Sequence, residues 1–256
     1  MASSPSSQII SIANLNKEYP NSKPVIRDLS LSVAPGEFVS VLGASGCGKS
    51  TLLKMIAGLS PISGGSIRID GRAPEGARDA VSFVFQDSTL LPWRTVARNV
   101  ELSLEFEQVP RPQRASRVAA VLKLVGLEEV HDYYPRQLSG GMKMRVSLAR
   151  ALVTTPRLLL MDEPFGALDA MTRNRLNEEL LALKAQQQWT TLFVTHSITE
   201  AVFLSNRIIL MGANPGRICE EVMIPLPTHR TAALRGDPAF LDLVGQVSRS
   251  FGALHL

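Results

Sequence analysis

Short apolar stretches, bounded by glycine, proline and polar clusters, alternate along the chain with longer ones in which apolar residues return every three or four positions. The short stretches predict strands at Ile9–Leu15, Val25–Val33, Glu37–Leu42, Ser66–Ile69, Ala80–Phe85, Leu158–Met161, Thr191–Val194, Arg207–Met211 and Arg217–Ile224. The longer ones predict helices at Lys49–Ala57, Thr95–Glu105, Gln113–Val125, Gly140–Leu152, Arg173–Gln187, Ile198–Leu204 and Pro238–Arg249. The first part is strand-rich, residues 90–155 are almost all helical, and after them strand and helix alternate. That order predicts an α/β fold: a mixed or parallel sheet flanked by helices, an N-terminal antiparallel β part and an inserted helical subdomain.

Composition narrows the class. With 256 residues and 45% hydrophobic content, the chain can build one full core or a core with a helical insert. No apolar run approaches the roughly 18–20 residues that span a bilayer. Residues 1–8 lack a basic and an apolar segment, so they read as a short disordered lead rather than a signal peptide. The net charge is +4 and the pI about 9.3, mildly basic. No run of like charge and no basic stripe interleaved with aromatics points to nucleic acid, which is not expected as a partner.

Candidate chemistry begins at Gly43-Ala44-Ser45-Gly46-Cys47-Gly48-Lys49-Ser50-Thr51, which fits G-x-x-x-x-G-K-[S/T], a phosphate-binding P-loop. A predicted buried strand precedes it and a predicted helix follows, the context this motif requires. Glycines let the backbone curl so that N–H groups point at a polyphosphate, and the helix N-terminus adds partial positive charge. Lys49 is expected to reach the β- and γ-phosphates, and the Ser50 hydroxyl to bind Mg²⁺. A disulfide at Cys47 would obstruct that loop, so Cys47 and Cys219 point to a reducing cytoplasm.

Two further clusters extend the site. Leu158-Leu159-Leu160-Met161 is an apolar strand ending in Asp162-Glu163, at the strand end where open α/β sheets bind ligands. Asp162 is expected to hold Mg²⁺ directly or through water, and Glu163 to orient and polarise an attacking water. Ser139-Gly140-Gly141 opens a helix, either as a simple cap or as a second anion-binding terminus that could meet the first across a dimer.

The P-loop, Gln86, Leu138-Ser139-Gly140-Gly141, Asp162-Glu163, Ala167-Leu168-Asp169 and His196 occur in the order of the ABC transporter ATPase family, which residues 8–225 resemble. The resemblance implies a P-loop NTPase core, ATP and Mg²⁺ as cofactors, and a head-to-tail homodimer with each ATP between one P-loop and the partner's Ser139-Gly140-Gly141. Tyr19 is similar to the aromatic that stacks on adenine. Gln86 is similar to the residue that senses Mg²⁺ and lytic water, Asp169 to the aspartate at the dimer interface, and His196 to the histidine that contacts the γ-phosphate. Met142 replaces the glutamine of many relatives, and Ser197 an aspartate.

Three stretches, Phe85–Val96, Asp162–Arg173 and Asn214–Ile218, resemble the nitrate/sulfonate/taurine branch of ABC importers. The resemblance implies a subunit peripheral to the cytoplasmic face of the membrane, bound to polytopic permease subunits and served by an extracytoplasmic solute-binding protein. Leu90, Leu91 and Trp93 are candidates for the permease contact or for packing inside the helical subdomain. Residues 9–225 read as the ATPase domain and 226–256 as a short helical tail. An efflux or lipid-handling ATPase is the alternative within transport, and a soluble mechanoprotein of DNA repair or ribosome handling the alternative outside it.

Overall fold

The computed structural model describes residues 8–20, 23–187 and 189–254. Of the expected disordered lead, residues 1–7 lie outside them. Strand β1 (Ile10–Lys17) pairs antiparallel with β2 (Ile26–Val33) on one side and β4 (Gly64–Ile69) on the other, forming a three-stranded sheet. The larger sheet contains β3 (Phe38–Gly43), β5 (Val81–Val84), β6 (Leu158–Asp162), β7 (Thr190–Val194), β8 (Arg207–Gly212) and β9 (Arg217–Met223). Its order is β5-β6-β7-β3-β8-β9, parallel from β5 through β8, with β9 antiparallel at the edge.

The helices are α1 (Lys49–Ile56), α2 (Val96–Phe106), α3 (Arg111–Leu124), α4 (Gly140–Leu152), α5 (Ala170–Gln186), α6 (Ile198–Leu204) and α7 (Pro238–Ala253). Caps explain where their ends depart from the periodicity. Asp169 accepts from the Thr172 N–H at 3.0 Å, so α5 starts three residues before the predicted Arg173. Thr95 accepts from the Arg98 N–H and caps α2 instead of opening it.

Alternation along the central strands sorts side chains onto two cores. Phe38, Leu42, Leu159, Met161, Phe193, Ile208 and Leu210 face the layer of α2, α4, α5, α6 and α7. Val39, Val41, Leu158, Leu160, Leu192, Val194, Ile209 and Met211 face α1 and the three-stranded sheet. Each such fully buried aliphatic contributes about 1.5–3 kcal/mol of transfer free energy. Because neighbouring parallel strands run the same way, the loops after β3, β6 and β7 all emerge at one edge of this sheet.

Two buried polar side chains fix the periphery. Asn99, fully buried on α2, accepts from the Leu91 N–H (2.8 Å) and donates to the carbonyls of Leu91, Arg94 and Thr95 at 3.2, 2.9 and 3.0 Å. This holds the segment before α2 and leaves Trp93 72% exposed on it, while Leu90 packs against the core and Leu91 is half-buried. Arg230 is buried and donates to the carbonyls of Val202, Phe203 and Ser205 at 3.2, 2.8 and 3.0 Å, closing the C-terminal end of α6. Burial away from any carboxylate lowers its pKa to about 10. The neighbouring Arg235 stacks 3.8 Å over the Phe203 ring and pairs with Glu178 of α5.

Candidate active site

The loop between β3 and α1 is set by backbone that suits glycine. Gly48, the N-cap of α1, has φ +102°, and a Cβ there would also lie 3.0 Å from Ile26. From beneath, Gly216 donates its N–H to Val25 O at 2.8 Å. A Cβ on Gly216 would fall 2.1 Å from the carbonyl oxygen of Cys47. Lys49 is buried and donates to Gly43 O (2.8 Å) and Ala44 O (3.0 Å) within its own loop. Among the described residues no carboxylate pairs with its ammonium. Burial raises the Cys47 thiol pKa against the pull of Lys49, so this cysteine is a packed thiol.

Across the loop, Ser50 Oγ donates to Asp162 Oδ1 at 2.9 Å. Burial raises the Asp162 pKa; the Ser50 hydrogen bond opposes this, and the charge of Glu163 adds to it. Glu163 follows with φ +46°, a left-handed backbone held where its N–H donates to Val194 O at 2.9 Å. Its Oε2 lies 3.0 Å from His196 Nδ1 at the end of β7. The structure thus gathers Lys49, Ser50, Asp162, Glu163 and His196 on one edge.

The other expected residues lie around this cluster. Gln86 is exposed two residues beyond β5 and forms no hydrogen bond with Ser50, Asp162 or Glu163. Tyr19 is 45% exposed at the end of β1, with the Lys17 ammonium 4.4 Å from its ring centroid. Ser139 caps α4 by accepting from the Met142 N–H, and Gly140 and Gly141 lie against Leu168 and Thr172, not against residues 43–51. Asp169 is exposed beside them, its pKa lowered by the Thr172 N–H.

Residues 26–166 match the family model described as ABC transporter. The chain belongs to the ABC transporter family. A taurine import ATP-binding protein of Pseudomonas putida is 42% identical over 91% of this chain and 92% of its own length. An aliphatic sulfonates import ATP-binding protein of Xanthomonas axonopodis pv. citri is 46% identical over 81% and 83%. An uncharacterized ABC transporter ATP-binding protein of Methanocaldococcus jannaschii is 45% identical over 87% and 85%. Among solved structures, a dimeric post-hydrolysis state of an ATP-binding cassette bound to ADP and Pi is 32% identical, with TM-score 0.75 over 85% of this chain and 100% of that one. This ABC protein is therefore an ATP-hydrolysing subunit, and its curated relatives place it in the import branch. Among the described residues no helix is long and apolar enough to cross a membrane.

Sequence reasoning passed over Arg173, Thr195 and Glu200, which hold the loops of this ABC site from behind. Ser197-Ile198-Thr199-Glu200 fits a capping box, a signal that would leave Glu200 at the surface. Instead Glu200 is 5% exposed and accepts from the Thr195 hydroxyl.

Proposed function

We propose that two copies of this chain close head-to-tail on two ATP molecules and that the closure drives permease subunits to import a small sulfonate of the taurine kind. Residues 43–51 of one copy hold each triphosphate, and Ser139, Gly140 and Gly141 of the other copy cover it. Support comes from the place of those glycines, which lie against Leu168 and Thr172 and not against their own phosphate loop. Tyr19 offers an exposed ring to the adenine. Lys49 exchanges its loop carbonyls for β- and γ-phosphate oxygens.

The Ser50 and Asp162 oxygen pair, next to bound phosphates, is the kind of donor set magnesium takes, with Gln86 as a further oxygen from the next strand. When bound, Mg²⁺ offsets the negative charge of the phosphate oxygens. Glu163 accepts a proton from water while the water oxygen bonds to the γ-phosphorus. The bond from that phosphorus to the bridging oxygen breaks, and the electron pair leaves with ADP. His196 stands at Glu163 Oε2 and contacts the γ-phosphate. The observation that carries this reading is the Glu163–His196 pair beside the Ser50–Asp162 pair.

The subunit sits at the cytoplasmic face, peripheral to the membrane, with Trp93 of the helical insert (about 90–155) toward the permease. An extracytoplasmic solute-binding protein and the permease select the cargo.

Purified Lys49→Ala should lose about 100-fold in turnover. Glu163→Gln should bind ATP and elute as a dimer in its presence. Wild-type turnover in Lys49→Ala, or a Glu163→Gln chain that hydrolyses normally, overturns the assignment. Cells lacking the chain should lose uptake of labelled taurine; intact taurine uptake with loss of nitrate uptake would reassign the cargo.

A further inference from the structure

The turn that carries His196 is laced from behind by a ring of hydrogen bonds, buried at Thr195 and Glu200 and half-buried at Ser197. The Thr195 hydroxyl donates to Glu200 Oε2 and accepts from the Ser197 N–H at 3.0 Å. The Glu200 N–H in turn donates to Ser197 Oγ at 3.4 Å. Residues 195–200 are thereby tied into one closed unit from which the His196 ring projects. Glu200, Thr195 and Asn177 are all buried.

The same carboxyl faces α5. Glu200 Oε1 and Asn177 Oδ1 are both buried without a partner, and the Asn177 side chain and the Arg173 guanidinium act on the carboxyl. A proton on Oε1 or a rotated Asn177 amide joins the two. Arg173 holds the loop after Glu163: it donates to Phe165 O (3.2 Å), Gly166 O (3.3 Å) and Leu168 O (2.7 Å). That loop passes close to the histidine: a Cβ added to Gly166 would lie 3.6 Å from His196 Cε1.

We propose that Glu200 is a positioning residue: it anchors the His196 turn, through Thr195, to the α5 base that also shapes the loop after Glu163, and so sets the Glu163–His196 geometry. It touches neither nucleotide nor water and acts through the histidine. The inference rests on the role given to His196 above.

Steady-state ATPase kinetics of the full chain test it, with nucleotide affinity read from a fluorescent ATP analogue. Glu200→Ala and Thr195→Val should each lower kcat about tenfold with KM within about twofold of wild type. Glu200→Gln and Thr195→Ser, which keep the hydrogen bonds, should recover most of the rate. In a His196→Ala background the Glu200→Ala change should cost less than twofold more, because its route is already cut. Full turnover in His196→Ala overturns the histidine's role. A slow His196→Ala with full turnover in Thr195→Val and Glu200→Ala overturns only the positioning role. So does a rate loss that Glu200→Gln does not recover, or one that multiplies with His196→Ala. If Glu200→Ala fails to fold, the Thr195 pair carries the same test.

Discussion

Gly216 sits under the phosphate loop with no room for a methyl group. Its absent Cβ would meet backbone, the Cys47 carbonyl, so the loop itself would have to move. Gly216→Ala should destabilise the fold by about 1–3 kcal/mol, seen as a lower Tm, and weaken ATP binding with it. An unchanged Tm would show that the approach relaxes without cost. Glu200 gives a second result at this scale. Burial raises its pKa, while Thr195, Arg173, Asn177 and His196 pull the other way. The folded chain then holds a proton that the unfolded chain releases above its ordinary value of 4.5. Stability from this group is complete below that value and is lost as pH rises through the folded pKa. Glu200→Gln cannot titrate, so its Tm should gain on wild type as pH rises above the ordinary carboxyl value of 4.5. A constant difference would show that the carboxyl stays in one protonation state throughout.

Among the elements, the loop carrying Trp93 depends on one side chain. Removing the Asn99 side chain takes the partner from the Leu91 N–H and the Arg94 carbonyl, while the Leu91 and Thr95 carbonyls keep backbone donors, so Asn99→Ala should cost about 1–3 kcal/mol and speed proteolysis near residues 91–95. Unaltered protection there would mean the loop is held by α2 packing alone. Legibility in the sequence followed the range of the interaction. The apolar runs of β3, β6 and β7 and the places of Lys49 and Asp162 are local patterns at a strand's end, whereas His196 is marked only by its likeness to the family's histidine. Arg173, Glu200 and Gly216 could not be read. Gly216 meets Cys47 from a distant segment, and Glu200 and Arg173 are set by how their loops curl back on them, which the order of residues does not show. A charged residue in a polar stretch carries no mark of being buried. The antiparallel turn of β9 at the sheet edge was hidden for the same reason: a strand's direction is set by its neighbour across the sheet, here β8.

For the whole molecule, surface and tail separate two activities. Trp93→Ala should leave ATPase turnover in solution within about twofold of wild type while reducing co-purification with the permease, since the exposed ring lies outside the catalytic cluster. Loss of both would place the ring in the fold rather than at the partner. Arg230 links the tail to the site by closing α6, the helix that begins just after His196. This has a consequence for the order of synthesis. Translation delivers α6 well before residue 230, so the helix emerges with its last carbonyls bare. The turn bearing His196, tied by its own hydrogen bonds at the start of the helix, can form first, and the far end is closed only once residue 230 folds back on it. A nascent chain still short of residue 230 would therefore carry its histidine turn on a helix open to water at one end, a helix that frays from the tail side first.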